Sequence, residues 1–134
     1  MSRPAPASQT SARIDLSGQV AIVTGGTRGI GAAIVRALLA AGAEVAICGR
    51  ATPESLPHSG DRSARFWPCD VRKAESVADF VDAVGAAFGR VDILVNNAGG
   101  SPPAAALTAS PRFHESILAL NLTGPIHMSQ AAAR

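Results

Sequence analysis

Short, unbroken apolar runs alternate along this chain with longer stretches whose apolar positions recur every three or four residues. Residues 20–23 and 45–48 are apolar throughout, which is typical of strands covered on both faces of a parallel sheet. Residues 65–69 and 91–95 are predicted as a third and a fourth strand. Pro68 lacks the N–H that a central ladder needs, so the third strand is expected at a sheet edge.

Helical patterns fill most of the intervals between these runs. Residues 29–41 are apolar on nearly every side and end at Gly42, and a second helix begins at Lys73 and ends at Gly89. A last helix begins at Pro111, and its predicted apolar side consists of Phe113, Ile117, Leu118 and Leu120. Residues 51–63, rich in Pro, Ser and Gly, are predicted as a loop with at most one helical turn.

Alternating strands and helices indicate a parallel sheet with right-handed crossovers, an open doubly wound α/β fold. A length of 134 residues suits one domain. We expect a disordered tail at 1–17, where Ser, Ala and Pro dominate, and the domain at 18–134. No stretch has the length of a signal peptide or of a membrane span, so we predict a cytoplasmic protein that does not contact membranes.

Composition excludes several other classes of function. The formal net charge is +2 and the chain has no basic run, which argues against nucleic-acid binding. Cys48 and Cys69 both fall in predicted strands and are expected to be buried free thiols. The three histidines lack ligand spacing with any Cys or acidic cluster, so no metal site is predicted.

A glycine-rich turn at residues 24–31 follows the first strand directly and opens the first helix. Such a turn brings backbone N–H groups close to a ligand, and the helix N-terminus adds partial positive charge, so the pair favours a pyrophosphate. Glycines placed for steric reasons alone are the alternative, and the strand–turn–helix context argues against it.

Four ordered motifs together resemble the short-chain dehydrogenase/reductase family. They are Thr-Gly-x-x-x-Gly-x-Gly at 24–31, Asp70-Val71 after the third strand, Asn-Asn-Ala-Gly at 96–99 after the fourth, and Asn121 in the last helix. The resemblance implies the N-terminal portion of a Rossmann fold that binds a nicotinamide dinucleotide and interconverts a small-molecule alcohol and a carbonyl.

Site residues follow from the same resemblance. It implies that Asp70 lies at the adenine, and that Asn121 is an active-site residue that helps to hold a water in a proton relay and bends its helix. Asn96 is expected to be mainly structural, joining the fourth strand to its neighbours. The expected nucleotide-binding residues are Gly25, Thr27, Arg28, Gly29, Ile30, Gly31, Arg50, Asp70, Val71, Asn97, Ala98 and Gly99.

The preferred nicotinamide nucleotide is predicted from the end of the second strand. A residue about 20 positions after the glycine motif contacts the ribose 2′ position, where an acid suits NAD and an arginine suits NADP. Arg50 occupies this strand end, and Arg28 in the turn offers a second cation. NADP(H) is therefore favoured, and a solvated Arg50 with use of either cofactor, NAD(H) included, is the alternative.

The proton donor that such a reaction requires is missing from these 134 residues. The resemblance implies a Tyr acid with a nearby Lys, but the chain contains no Tyr, and its only lysine, Lys73, opens the second helix. We therefore expect an inactive N-terminal fragment of an enzyme whose complete form is a homo-oligomer. A non-catalytic nucleotide-binding module and a half-enzyme completed by another chain are the alternatives.

Overall fold

The computed structural model describes residues 14–134. Of the tail predicted at 1–17, residues 1–13 therefore lie outside the described residues. Within the rest of it, the Leu16 N–H donates to the Ala41 carbonyl at 2.7 Å, and the half-buried Leu16 side chain packs against the core. Ordered packing thus begins ahead of the boundary that we predicted at Gly18.

Six strands and four α-helices make up the described part of the chain. The strands are β1 (Val20–Thr24), β2 (Glu44–Gly49), β3 (His58–Ser59), β4 (Arg62–Ser63), β5 (Arg65–Pro68) and β6 (Ile93–Val95). The helices are α1 (Gly29–Ala40), α2 (Ala74–Phe88), α3 (Pro111–Leu118) and α4 (Gly124–Ala132), with a π-helical segment at Ala119–Thr123. None of the helices described here is both long enough and apolar enough to cross a membrane.

Four of the strands form one parallel sheet in the order β5-β2-β1-β6, which confirms the predicted architecture. Pro68 lies on β5 at a sheet edge, as its missing N–H requires. The strand β6 is shorter than the predicted 91–95, because Asp92 pairs differently. Its carboxylate accepts from the Val20 N–H at 2.8 Å, while its own N–H donates to the Val20 carbonyl.

Both faces of the sheet are covered, which explains why β1 and β2 are apolar without alternation. One face packs on α2 through Val77, Phe80, Val81 and Val84, together with Met128 of α4. The other face packs on α1 through Val35 and Leu39. The α/β fold is therefore doubly wound.

The connection between β2 and β5 differs from the predicted loop with at most one helical turn. It contains an antiparallel hairpin, β3 paired with β4, which turns at Gly60 and packs on α1. Arg62 fixes the hairpin, because its Nη2 donates to the carbonyls of Gly42 and Ala43 at 2.9 and 3.0 Å and to the Glu44 carboxylate at 2.8 Å. Strands of two residues are too short to show a period of two in the sequence.

The last predicted helix is divided into three parts. It begins at Pro111 as expected, with Ser110 capping the Phe113 N–H at 3.2 Å, but it changes to π-helix at Ala119. Leu118 was predicted on the apolar side and is 55% exposed, so that assignment is wrong. Leu118 and Leu120 are two positions apart, which places them on opposite sides of a regular helix.

Candidate functional site

A cleft of about 1230 Å³ opens at the carboxyl ends of the parallel strands. Segments that follow β1, β2, β5 and β6 all contribute to its lining, as expected for the ligand site of an open α/β sheet. Every residue predicted to bind the nucleotide lies in this lining: Gly25, Thr27, Arg28, Gly29, Ile30, Gly31, Arg50, Asp70, Val71, Asn97, Ala98 and Gly99. The sequence motifs, distant along the chain, therefore meet at one place.

The N-terminus of α1 opens on this cleft without a side-chain cap. Arg28 occupies the N-cap position in an extended conformation, and its side chain makes no capping hydrogen bond. The first N–H groups of a helix have no intrahelical partner, and the first turn of α1 carries no acidic residue. These free donors and the helix dipole suit an anion.

Close contacts below the turn explain why residue 31 is a glycine. A Cβ on Gly31 would clash with the Gly25 carbonyl oxygen and would lie 2.5 Å from Nδ2 of Asn97. Gly25 has φ +63, a conformation that side chains disfavour. The turn is thus packed tightly against the segment that follows β6.

Asn97 holds these two segments together. Its Nδ2 donates to the carbonyls of Thr24 and Gly25 at 2.9 and 3.1 Å. The buried Thr24 hydroxyl also accepts the N–H groups of Asn97 and Ala98 at 3.0 and 2.9 Å. Thr24 was not among the predicted site residues. Its position at the end of an apolar strand, directly before the glycine turn, could have identified it.

The joining role that we predicted for Asn96 belongs to Asn97. Within residues 14–134, the exposed Asn96 side chain makes a single bond, from its Nδ2 to the Ser129 hydroxyl of α4 at 3.2 Å. Successive residues at a strand end point to opposite sides, so only one of the two amides can reach β1. Asn97 supports the floor of the cleft with both of its amide hydrogens.

Two exposed arginines line the cleft, Arg28 in the turn after β1 and Arg50 after the end of β2. Arg50 and Arg28 are exposed in the lining, and neither side chain makes a hydrogen bond or ion pair within residues 14–134. Glu54 also lies in the lining, four residues beyond Arg50, and was not among the predicted site residues. Two unpaired guanidinium groups therefore lie in the lining together with the unpaired carboxylate of Glu54, whereas the Asp70 carboxylate is paired with Arg72.

Asp70 lies just beyond β5 and is bound by Arg72. The Arg72 Nε and Nη2 donate to Oδ1 and Oδ2 of Asp70 at 2.9 and 2.8 Å. These hydrogen bonds lower the pKa of Asp70 to about 2 against the opposing effect of partial burial. Asp70 is therefore ionised and acts only as an acceptor at neutral pH.

Cys48 and Cys69 are buried and free, as predicted, and both line the cleft. Interaction between the two thiols is the main influence that lowers the pKa of Cys69 to about 7 and raises that of Cys48, while the Cys69 Sγ donates to the Ser76 carbonyl at 3.5 Å. Desolvation acts on both groups in the raising direction. Residues 14–134 contain no group of three or more His, Cys, Asp or Glu side chains that could hold a metal ion.

Asn121 lies in the π-helical segment and is exposed, outside the residues that line the cleft. Its Nδ2 donates to the carbonyls of Gly100 and Ile117, both at 2.9 Å, and its Oδ1 accepts the Gly100 N–H at 2.8 Å. Both amide hydrogens are therefore used. The side chain fixes the glycine loop after β6 to the deformed helix.

Residues 19–134 match the model of a protein family that is described as short chain dehydrogenase. Among curated proteins, a D-threitol dehydrogenase of Mycolicibacterium smegmatis is 44% identical over 124 residues, which cover 89% of this chain and 48% of that protein. An L-fucose dehydrogenase of Bos taurus is 42% identical, over 87% of this chain and 44% of that protein. The chain thus spans about half the length of the curated relatives it matches.

Solved structures agree with these relatives. A metagenomic short-chain oxidoreductase in complex with NADP aligns with a TM-score of 0.77 at 36% identity, over 88% of this chain and 56% of that one. A 3-oxoacyl-[acyl-carrier protein] reductase from Brucella melitensis in complex with NAD aligns with a TM-score of 0.77 at 34% identity, over 86% and 47%. By sequence and by fold, this chain belongs to the short-chain dehydrogenase/reductase family.

Proposed function

We propose that this chain supplies the nicotinamide-nucleotide-binding half of an oxidoreductase that interconverts an alcohol and a carbonyl of a small molecule. The cleft carries the proposal, since the four strand ends bring every predicted nucleotide-binding residue together. Relatives named as dehydrogenases of threitol and fucose support the reaction class. A bound nicotinamide would supply or accept the hydride, and the residues of this chain bind and orient it.

The cleft fits a dinucleotide in shape and in chemistry. The uncapped N-terminus of α1 offers N–H donors to a pyrophosphate, and the space where a Gly29 side chain would begin is open. Asp70 and Val71 are proposed at the adenine, and Asn97, Ala98 and Gly99 at the part of the cleft beside β6. Thr27, Gly29 and Ile30 complete the phosphate turn together with Gly25 and Gly31.

NADP(H) is the proposed cofactor, with NAD(H) as the alternative. Arg50 and Arg28 have no partner among the described residues, and guanidinium groups bind phosphate through paired hydrogen bonds. Glu54 in the same lining would oppose a 2′-phosphate and favours the alternative. Of the two structural neighbours, one was solved with NADP and the other with NAD.

The proton donor is proposed to lie outside these 134 residues, because they contain no Tyr. On this proposal, the chain alone does not catalyse, and Asn121 contributes by holding Gly100 and the π-helical segment in place. A binding module without catalysis is the second candidate, since the cleft would bind a nucleotide without any proton donor.

A homo-oligomer is proposed for the complete protein, which we place in the cytoplasm. Leu118, Leu122 and Ile126 are 55%, 53% and 47% exposed and recur at intervals of four along one side of the last helical region. An exposed apolar stripe of this kind is typical of surfaces that become buried on association.

Cofactor binding and turnover test the proposal together. Quenching of protein fluorescence would be titrated with NADPH and with NADH, and oxidation of each would be followed with a panel of sugar-derived and other small carbonyl compounds. Binding with turnover supports the oxidoreductase. Binding without turnover in the complete protein supports the binding module, and absence of binding contradicts both.

A further inference from the structure

Arg72 is fixed against Asp70 in a geometry that leaves little freedom to either side chain. The fork of two side-chain bonds at 2.9 and 2.8 Å is joined by a third from the Arg72 backbone N–H to Oδ1 at 3.2 Å. The backbone of Asp70 is fixed as well, because its N–H donates to the Ser76 hydroxyl at 3.1 Å. Paired bonds from a planar guanidinium set the orientation of a carboxylate as well as its charge.

One acceptor and one donor of this turn have no partner among residues 14–134. Among the contacts of residues 14–134, Oδ1 of Asp70 accepts two hydrogen bonds and Oδ2 accepts one, so Oδ2 retains a free lone pair. The backbone N–H of Val71 has no acceptor within the same residues. Both residues line the cleft. An acceptor beside a donor complements a base edge with an amino group beside an unprotonated ring nitrogen.

Adenine has such an edge, and hypoxanthine has the reverse. In hypoxanthine the amino group is replaced by a carbonyl oxygen and the neighbouring ring nitrogen carries a hydrogen. An acceptor placed against that oxygen, and a donor against that N–H, reject the base. This selection works only while the Asp70 carboxylate keeps Oδ2 pointed toward the base.

We propose that Arg72 is a positioning residue that selects the nucleobase by fixing the Asp70 carboxylate in its accepting orientation. This inference rests on the proposed binding of an adenine dinucleotide. Arg72 also compensates the charge of Asp70 near an anionic ligand, but that effect is equal for both bases. The ratio of the two affinities therefore isolates the orienting effect.

The test compares NADPH with its hypoxanthine analogue, reduced nicotinamide hypoxanthine dinucleotide phosphate. Dissociation constants would be measured for the unmodified protein and for Arg72→Ala, Arg72→Lys and Lys73→Ala. The unmodified protein should prefer NADPH by about ten- to a hundredfold, the range of one hydrogen bond to a charged group. Arg72→Ala should reduce this preference to within about threefold.

The two other variants separate orientation from charge. Arg72→Lys keeps the positive charge without the fork, so it should bind NADPH better than Arg72→Ala and still lose the base preference. Lys73→Ala removes a neighbouring exposed charge and leaves the fork intact, so the preference should stay unchanged. Circular dichroism spectra would establish that each variant is folded.

The outcomes also distinguish this inference from the proposed function. If folded Arg72→Ala and Arg72→Lys keep the full preference for NADPH, the positioning role is wrong and the proposed function stands. If the unmodified protein binds both nucleotides equally well, the positioning role is also wrong and the proposed function stands. If it binds neither, the proposed function fails and the inference fails with it.

Discussion

Asn97 donates two hydrogen bonds to Thr24, one from its side chain and one from its backbone. Asn97 donates from its amide to the Thr24 carbonyl at 2.9 Å, and the Thr24 hydroxyl accepts the Asn97 backbone N–H at 3.0 Å. Thr24 is buried, with a relative exposure of 2%. These hydrogen bonds connect the segment after β6 with the glycine-rich turn after β1. A substitution of Asn97 should therefore disturb both of these parts of the cleft.

Asn97→Asp should therefore destabilise the fold and weaken nucleotide binding. A carboxylate would replace two donated hydrogen bonds with repulsion from the carbonyl oxygens of Thr24 and Gly25. We expect a loss of about 2–4 kcal/mol in the free energy of unfolding, measured by urea denaturation. The matched control is Asn96→Asp, which changes an exposed side chain with one bond and should cost no more than about 0.5 kcal/mol. Equal losses of stability in the two variants would contradict the conclusion that Asn97, and not Asn96, joins the two segments.

Gly31→Ala should abolish binding of the nucleotide, since the added Cβ meets the Gly25 carbonyl and Asn97 Nδ2. The turn can relieve this overlap only by shifting backbone, at a cost of about 1–3 kcal/mol in stability. Thermal shift with and without NADPH would record both effects. A folded variant with the normal ligand-induced shift would show that the turn is not the phosphate site.

Gly85→Ala is the control for this substitution. Gly85 lies within α2, and nothing lies within 4 Å of the position that its Cβ would occupy. Alanine there should stabilise the helix by about 0.5–1 kcal/mol and leave nucleotide binding unchanged.

Much of the sheet and of the cleft could be predicted from the sequence because their signals are local. Unbroken apolar runs indicate strands buried on both faces, and glycines directly after such a strand indicate a phosphate turn. Pro68 could be placed at an edge from its missing N–H alone. All of these inferences depend on a few neighbouring residues.

What could not be predicted depends on three-dimensional packing. The hairpin at β3 and β4 has too few residues to show a period, and Arg62 fixes it through contacts some twenty residues away in sequence. The choice between Asn96 and Asn97 depends on which of two successive side chains points toward β1. The change to π-helix at Ala119 has no counterpart in the regular period of 3.6 on which the prediction of the last helix rested.

Acid should remove the stabilisation that the Asp70–Arg72 pair provides. The pKa of Asp70 is about 2 in the folded protein, below its ordinary value near 4. The pair therefore stabilises the fold at neutral pH, and the contribution is lost as the pH falls from about 4 towards 2. Because both side chains are partly exposed, its size is on the order of 1 kcal/mol.

Arg72→Gln should lower the free energy of unfolding at pH 7 by about 1 kcal/mol. The difference from the unmodified protein should shrink below about pH 4. Urea denaturation at a series of pH values would measure it. Arg36→Gln is the control, because Arg36 is exposed on α1 and makes no ion pair among the described residues. A difference for Arg72→Gln that stays constant down to about pH 3 would contradict the assignment of the ion pair.

Arg50→Ala should weaken binding of NADPH and leave binding of NADH nearly unchanged. Arg50 follows the end of β2 in the cleft lining, and its guanidinium is free to bind a phosphate on the ribose. Loss of one charge-assisted contact to phosphate should cost about 1.5–3 kcal/mol, a factor of roughly ten to a hundred in the dissociation constant. Fluorescence titration with each nucleotide gives both constants. Arg36→Ala, which removes an exposed arginine outside the cleft, should affect neither. Parallel losses for NADPH and NADH in Arg50→Ala would mean that Arg50 acts on the shared part of the dinucleotide, and the preference for NADP would then have no support at this residue.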